Sequence, residues 1–105
     1  MNMCSYICCR RRKFDFKKID QKAHFLRFFC EPSRLKILDL LKENRHCVCE
    51  IMNHLNFSQS LVSHHLADLK ENQLVNSEKV GQRVYYSISK KGEKVISLLE
   101  QLKNL

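Results

Sequence analysis

Residues 47–69, CVCEIMNHLNFSQSLVSHHLADL, decide the fold of this chain. Asn56-Phe57 is typical of a turn, and Ser58 is a favourable N-cap for a helix that follows it. Before the turn, apolar residues recur at helical spacing: Ile51, Met52 and Leu55. The stretch therefore predicts two short helices joined by a tight turn, a helix-turn-helix, with the first helix beginning at about Cys47 or Val48.

The second of these helices has two unlike faces. At 100° per residue, small or polar side chains fall within about 140° of one face: Gln59, Ser60, Ser63, His64 and Ala67. The other face carries packing residues: Leu61, Val62, His65, Leu66 and Leu69. Solvent faces of helices are usually rich in Lys and Glu, yet positions 59–67 contain no charged residue. This pattern predicts a docking surface, with His65 as a core histidine.

Short polar side chains let a helix approach base edges in a major groove about 12 Å wide. We therefore expect contacts to double-stranded DNA from four residues of the helix: Gln59, Ser60, Ser63 and His64. Three residues farther along are placed to reach phosphates or the minor groove: Lys79, Gln82 and Arg83. In a two-fold dimer, paired recognition helices meet grooves about 34 Å apart, so the expected operator is an imperfect palindrome.

Helices are also expected on both sides of the helix-turn-helix. Before it, one apolar stripe runs from Phe16 to Phe29, and Glu31-Pro32-Ser33 then breaks and restarts the chain into a helix ending near Asn44. After it, residues 74–79 and 83–89 read as the strands of a hairpin. Residues 90–105 return to a helix whose apolar residues recur at near-heptad spacing: Val95, Leu98, Leu99, Leu102 and Leu105.

The predicted architecture is mainly α with a small β-hairpin, a winged helix-turn-helix with flanking dimerisation helices. We divide the chain into a Cys-rich, basic N-terminal arm at 1–13 and a DNA-binding and dimerisation domain at 14–105. The last helix has little core left to cover in one small domain, so we expect it to pair with the first helix and with a second subunit. The expected assembly is a homodimer.

Composition narrows the class of protein. The 105 residues suffice for one domain, and the formal net charge of +8 suits a polyanionic partner. Residues 1–22 carry seven basic and two acidic side chains, so overall basicity does not by itself establish DNA binding. We see no apolar run of about 18 residues and no secretory signal, and we expect a cytoplasmic protein without a membrane partner.

The six cysteines, in a reducing compartment, favour metal binding or thiol switching over disulfides. Cys47 and Cys49 would diverge by about 200° on a regular helix, but at a helix N-terminus the first of them can lie outside helical geometry. The helix dipole there favours an anionic thiolate. Cys4 and Cys8 share a helix face and Cys9 is adjacent, so the arm offers further ligands. Thiolates suit soft ions such as cadmium and lead and also hold zinc.

Four stretches resemble the ArsR/SmtB family of metal-responsive bacterial repressors, in that family's order and over roughly residues 20–100: EPSRLKILDLL, CVCEI, FSQSLVSHHLADLKENQLV and GQRVYYSIS. The resemblance implies a winged helix-turn-helix repressor. It is nearest to the cadmium- and lead-sensing branch, in which an N-terminal Cys-x3-Cys pair of one subunit joins the Cys-Val-Cys of the other. Carried over, the metal ligands are Cys4, Cys8, Cys47 and Cys49, with the extra Cys9 competing with Cys8.

Two other metal sites known in the family have different prospects in this chain: one stays open and one is rejected. The arsenic-sensing branch often has a third Cys where this chain has Met52, but an arsenite or antimonite site using Cys47, Cys49 and one of Cys8 or Cys9 stays open. The site that holds zinc or cobalt by Asp and His on the last helix is rejected, because residues 90–105 contain neither. We expect Cys30 to be a small buried hydrophobe outside the site.

The sequence leaves several other functions open. Within the same fold, a thiol-redox or sulfide switch would replace the metal by a disulfide or polysulfide bridge. From a different class, a winged helix also serves as a protein-interaction module, and a Cys-rich chain as a metal buffer. We see no constellation of nucleophile, base and carboxylate, so we do not expect an enzyme.

Overall fold

A computed structural model describes residues 15–105, and the proposed arm with Cys4, Cys8 and Cys9 lies outside that range. The elements in chain order are α1 Phe16–Phe28, α2 Pro32–Glu43, β1 His46–Cys47, α3 Val48–Leu55, α4 Gln59–Glu71, β2 Val75–Val80, β3 Arg83–Ile88 and α5 Lys90–Lys103. This confirms the predicted winged helix-turn-helix, mainly helical with a small sheet. None of the helices in the described part of the chain has the length and apolarity needed to cross a bilayer.

The described residues fall into two units divided between Cys30 and Glu31. In the first unit, Asp15 caps α1 by accepting a hydrogen bond from the Lys18 N–H at 3.2 Å. Apolar side chains along the helix are exposed: Phe16, Ile19 and Leu26. The expectation of a buried Cys30 was wrong, since this cysteine is exposed just beyond the end of α1, where its thiol faces the Leu26 carbonyl at 3.7 Å.

The core of the second unit lies where α2, α3, α4 and the start of β2 pack against one another. Its fully buried side chains are Ile37, Leu38, Leu41, Ile51, Val62, Leu66, Leu69 and Leu74. Each removes a large apolar surface from water, which stabilises the fold by about 1.5–3 kcal/mol per side chain before the loss of conformational entropy. The periodicity of these residues in the sequence therefore corresponds to one shared core.

The turn between α3 and α4 depends on a left-handed residue. Asn56 has φ 57° and ψ 44°, a conformation that Asn tolerates better than most residues, and its N–H donates to the Met52 carbonyl. Ser58 then caps α4, its hydroxyl accepting from the Leu61 N–H at 3.2 Å. Asn56 therefore ends α3 and Ser58 begins α4.

The sheet has three strands in the order β1-β3-β2, all antiparallel, where the sequence predicted only a hairpin. The hairpin pairs Val75 with Ile88 through to Val80 with Arg83. Gly81 follows with φ 65°, a value that suits glycine in a two-residue loop. The strand missed by sequence reasoning is β1, in which His46 lies opposite Tyr86 and Cys47 opposite Tyr85. Two residues are too few to show any periodicity.

The C-terminal helix α5 begins at the N-cap Ser89, whose hydroxyl accepts from the Gly92 N–H at 3.0 Å. Ile96 is buried, and α5 packs against α2 and β3. Leucines toward its end are exposed: Leu98, Leu102 and Leu105. These side chains leave an apolar stripe on the surface of the second unit.

Candidate nucleic-acid interface and cysteine pair

The two faces of α4 are separated as the sequence predicted. The residues of the candidate DNA face are all exposed: Gln59, Ser60, Ser63, His64 and Ala67. Across the helix, the packing residues are buried: Val62, His65, Leu66 and Leu69. An outer surface without charge is thus carried by a helix whose other side is fixed in the core.

An ion pair ties α4 to α2 at the edge of this face. The Arg34 guanidinium lies 3.0 Å from the Asp68 carboxylate, and the two side chains are only 19% and 28% exposed. The same carboxylate oxygen is 3.4 Å from His64 Nε2, one turn back on the exposed side of α4. Sequence reasoning did not single out this pair, because its members lie on different helices.

His65 is a polar side chain among the buried residues of α4, and it is 5% exposed. Neither ring nitrogen has a hydrogen-bond partner within the described residues. Burial lowers the pKa of His65, and the positive charge of Arg34 lowers it further. The imidazole is therefore a neutral packing group, as expected for a core histidine.

The hairpin end carries the remaining DNA-contact candidates, Lys79, Gln82 and Arg83, and all three are exposed. Val80 and Arg83 form the closing pair of the two strands, with Gly81 and Gln82 as the loop between them. The structure thus brings the three side chains to one end of the hairpin, the wing. Their contact with DNA stays a prediction.

Cys47 lies at the junction of a strand and a helix. It is the last residue of β1 and the N-cap of α3, is 4% exposed, and has an extended backbone with φ −86° and ψ 169°. Its N–H donates to the Glu50 carboxylate at 2.9 Å, one half of a reciprocal capping box that lowers the pKa of Glu50. The spacing Cys47-x-x-Glu50 is that of a capping box with Cys in place of Ser, so the sequence contained a signal for this contact.

Cys49 lies in the first turn of α3 and is exposed. Because Cys47 stands outside the helix, the 200° divergence of two helical side chains does not apply to this pair. Residues 15–105 hold no group of three or more His, Cys, Asp or Glu side chains arranged around a metal site. The pair therefore supplies two thiols, and the other candidate ligands, Cys4, Cys8 and Cys9, belong to the part of the chain that is not described.

A side-chain cluster connects Cys47 to the wing. The pKa of the Arg83 guanidinium is raised, most by the charge of the Cys47 sulfur and then by that of Tyr85. The Arg45 guanidinium lies over the Tyr85 ring, 5.0 Å from its centroid, and 3.8 Å from the Glu78 carboxylate. This cluster depends on the pairing of β1 with β3, so no local pattern revealed it.

The second unit matches known proteins in sequence. Residues 31–77 match the family described as "Bacterial regulatory protein, arsR family". The chain is 41% identical over 64 residues to the arsenical resistance operon repressor of Staphylococcus xylosus, covering 61% of this chain and 62% of that protein. It is 40% identical over 77 residues to the cadmium resistance transcriptional regulatory protein CadC of Listeria innocua, covering 72% and 63%. The chain thus spans less than two thirds of the length of these relatives.

The fold agrees with this match. The structure of HlyU from Vibrio cholerae superposes with a TM-score of 0.69 at 34% sequence identity, covering 85% of this chain and 98% of that one. The relatives are named as transcriptional regulators rather than enzymes, in line with the sequence-based expectation. The family match covers α2 to the start of β2, the elements that position both the exposed face of α4 and the cysteine pair. The chain belongs to the arsR family of bacterial regulatory proteins.

Proposed function

We propose that this protein is a homodimeric transcriptional repressor that leaves its operator when a soft metal ion binds its cysteines. Cys47 and Cys49 of one subunit supply two thiolates, and Cys4 with Cys8 or Cys9 of the other subunit completes the set. The observation that carries the proposal is the position of Cys47, which ends a strand of the wing sheet and caps the helix before the recognition helix. Any displacement of this residue acts on both DNA-contact elements.

The DNA half of the proposal rests on the surface of α4. Gln59 can pair with adenine through two hydrogen bonds, while Ser60, Ser63 and His64 are short enough to let the helix approach base edges. Lys79, Gln82 and Arg83 supply phosphate or minor-groove contacts from the wing. A fluorescence-anisotropy titration should show preference for an imperfectly palindromic promoter site over random duplex, with steep salt dependence. Equal affinity for both duplexes at physiological salt contradicts specific recognition.

The exposed leucine stripe of α5 supports the dimer half of the proposal. Leu98 and Leu102 are more than half exposed, an arrangement that a second subunit would relieve. Sedimentation should find a dimer for the natural protein and a shift toward monomer for Leu102→Glu. Ser97→Glu on the same helix is a matched control for introducing an acidic side chain outside the leucine stripe, because Ser97 is exposed and lies about 100° around the helix from Leu98. A monomeric natural protein at micromolar concentration would remove this part of the proposal.

The metal half rests on donor chemistry. Cys47 and Cys49 fit the soft ligands that cadmium, lead and zinc accept, and Cys47, being buried, holds its sulfur in a partly water-free position. When bound, the cation supplies a centre that draws the thiolates of the two subunits together. Cys47 then has to serve as a ligand instead of only as the cap of α3, and the capping contact with Glu50 transmits the change to the start of that helix.

The test is a titration of cadmium, lead, zinc and arsenite into the protein–operator complex, with DNA release and thiolate charge-transfer absorbance recorded together. Release should be lost in Cys47→Ser, and comparison of Cys8→Ser with Cys9→Ser identifies the arm ligand. Cys30→Ser is the matched control, because this exposed thiol lies outside the proposed set. By linkage, operator DNA must weaken metal affinity by the same factor by which metal weakens DNA affinity. Unchanged metal affinity on DNA refutes the coupling.

An arsenite- or antimonite-responsive repressor is the second candidate, favoured by the 41% identity to an arsenical resistance repressor. It would use Cys47, Cys49 and one of Cys8 or Cys9 as three sulfur ligands. Release by arsenite at concentrations where cadmium and lead have no effect selects this candidate. Release by an oxidant or polysulfide without metal selects a thiol switch, whereas charge-transfer bands without any effect on DNA point to metal buffering.

A further inference from the structure

We propose that Asp68 is a positioning residue for His64 and decides which hydrogen-bonding atom this histidine presents to a DNA base. The inference rests on the proposed function and names, for one residue of the candidate DNA face, the class of base that it selects. One carboxylate oxygen carries it, because this oxygen lies close both to an arginine of α2 and to the exposed histidine of α4.

The helix brings Asp68 and His64 together. They are four residues apart in α4, so their side chains are neighbours on successive turns. Asp68 Oδ2 lies 3.4 Å from His64 Nε2. The histidine side chain is 70% exposed and that of the aspartate 28%, so the contact joins the candidate DNA face to a partly buried group.

Arg34 holds the carboxylate in place. Its Nη2 donates to the same oxygen, Asp68 Oδ2, at 3.0 Å, from a side chain that is 19% exposed. A carboxylate tied to a second helix has fewer conformations than one in solvent. The position of the oxygen beside His64 is therefore set by the packing of α2 against α4, and not by His64 itself.

The carboxylate favours one tautomer of His64. A neutral imidazole carries one proton, so one ring nitrogen donates and the other accepts. A negative oxygen beside Nε2 favours the tautomer with the proton on Nε2, because that N–H directs its positive end toward the oxygen. Nδ1 is then the acceptor, and it is the ring nitrogen left for DNA.

An acceptor distinguishes bases in the major groove. Adenine N6 and cytosine N4 carry donor amino groups there, whereas guanine N7 and O6 and thymine O4 are acceptors. With Nδ1 as the acceptor, His64 selects adenine or cytosine on the strand that it contacts and disfavours guanine and thymine. A proton on Nδ1 instead would shift the preference toward guanine or thymine.

Two substitutions separate this positioning from the structural role of the ion pair. Asp68→Asn and Arg34→Gln both break the charged contact between α2 and α4. Only Asp68→Asn removes the carboxylate beside His64. A purely structural role predicts the same change in both variants, whereas positioning of His64 predicts a change in Asp68→Asn alone.

The first measurement needs no DNA. Nitrogen NMR of the full-length protein, at an alkaline pH where imidazoles are neutral, gives the share of each tautomer, and the His64 signals are those lost in His64→Ala. Asp68→Asn should raise the share of the Nδ1–H tautomer at least about threefold, and Arg34→Gln should keep the share of the natural protein. An unchanged share in Asp68→Asn, or an equal rise in Arg34→Gln, overturns the inference.

The second measurement is base preference, by anisotropy titration of the imperfectly palindromic promoter site and of duplexes with single base pairs replaced. The base pair that His64 contacts is the one at which His64→Ala loses discrimination. There the natural protein should prefer adenine or cytosine over guanine or thymine by at least about fivefold. Ratios between duplexes are compared, because removing a negative charge near DNA raises the affinity for every duplex.

Asp68→Asn should reduce this ratio at least about threefold, and Arg34→Gln should retain it. In His64→Ala, adding Asp68→Asn should not change the ratio further. The inference is overturned by a preference for guanine or thymine, by an unchanged ratio in Asp68→Asn, or by undiminished discrimination at every base pair in His64→Ala. If the natural protein binds all duplexes equally, the proposed function fails, and the tautomer shares alone then decide whether Asp68 positions His64.

Discussion

Arg34 on α2 and Asp68 on α4 meet at 3.0 Å, one turn from the exposed His64 of the candidate DNA face. The contact is partly buried and joins two helices that are distant in sequence. It therefore holds α4 in place at the edge of the candidate DNA face.

Replacing Asp68 by Asn should lower the free energy of unfolding by about 1–2 kcal/mol, because it leaves the Arg34 charge partly buried beside a weaker acceptor. Urea denaturation measures the change. The matched control is Lys42→Gln, whose partner Glu100 lies at a similar 3.2 Å but in a pair that is 47% and 59% exposed. Its loss should be less than about 0.5 kcal/mol. Equal losses in the two variants would show that the Arg34–Asp68 pair contributes no more than a surface pair.

Gly92 permits the close approach of α5 to the sheet. A Cβ at this position would clash with the Leu74 carbonyl oxygen and lie 2.7 Å from Ile88 Cγ1. We expect Gly92→Ala to lower the free energy of unfolding by about 2 kcal/mol, the scale of overpacking in a core.

Gly81→Ala is the comparison for this change, because Gly81 has open space around it and only its φ of 65° is unfavourable for alanine. Its cost should be about 1 kcal/mol. Chemical denaturation of both variants gives their free energies of unfolding. A Gly92→Ala protein as stable as the natural one would show that α5 can shift away from β3 at no cost in stability.

His65 should make stability depend on pH. Its pKa is lowered in the folded protein from the ordinary value of about 6.5, first by burial and then by Arg34. The unfolded chain therefore takes up a proton at a higher pH than the folded protein does, so the free energy of unfolding is at its plateau above pH 6.5. It should fall as the pH drops below that value and continue to fall until the folded imidazole also protonates.

The charged and titratable groups that act on His65 are Arg34 of α2, Glu31 at the N-cap of α2, and His64 and Asp68 of α4. In His65→Leu, the part of the pH dependence below about pH 6.5 that belongs to His65 should disappear, as measured by urea denaturation at a series of pH values. A slope identical to that of the natural protein would assign the effect to the neighbouring groups.

An acidic residue on the exposed face of α4 should weaken operator binding without unfolding the protein. Ser63→Glu places a negative charge where the proposal puts the DNA, so affinity should fall at least about tenfold by repulsion from phosphates. Ser97→Glu makes the same substitution on an exposed position of α5 and should retain affinity. Anisotropy titration gives the affinities, and circular dichroism checks the fold. Normal binding by Ser63→Glu would move the DNA interface away from this face.

Much of this protein was predictable from local patterns. The two faces of α4 follow from the 100° step of a helix, so burial of Val62 and Leu66 and exposure of Ser63 were visible in the order of residues alone. The cap at Ser58 and the turn at Asn56-Phe57 were also predicted from the sequence, because both depend on residues within a few positions of each other.

Burial at chain breaks and pairing across strands were not predictable in this way. Cys30 ends an apolar stripe, yet it is exposed, because the stripe specifies a helix face and not what lies beyond the helix end. The strand β1 has two residues and no period, and its partner β3 lies on the far side of two helices in the sequence. Only the folded chain shows that Cys47 belongs to the wing sheet.

The sequence by itself determined the order of the helices and of the hairpin, the uncharged face of α4 and the presence of a thiol pair at the start of α3, because each depends on spacing within a few residues. The tertiary structure alone decided that Cys47 lies opposite Tyr85 and that Arg34 meets Asp68. These contacts join residues from separate elements, and their geometry follows from how the core packs and how the strands register, which no local pattern encodes.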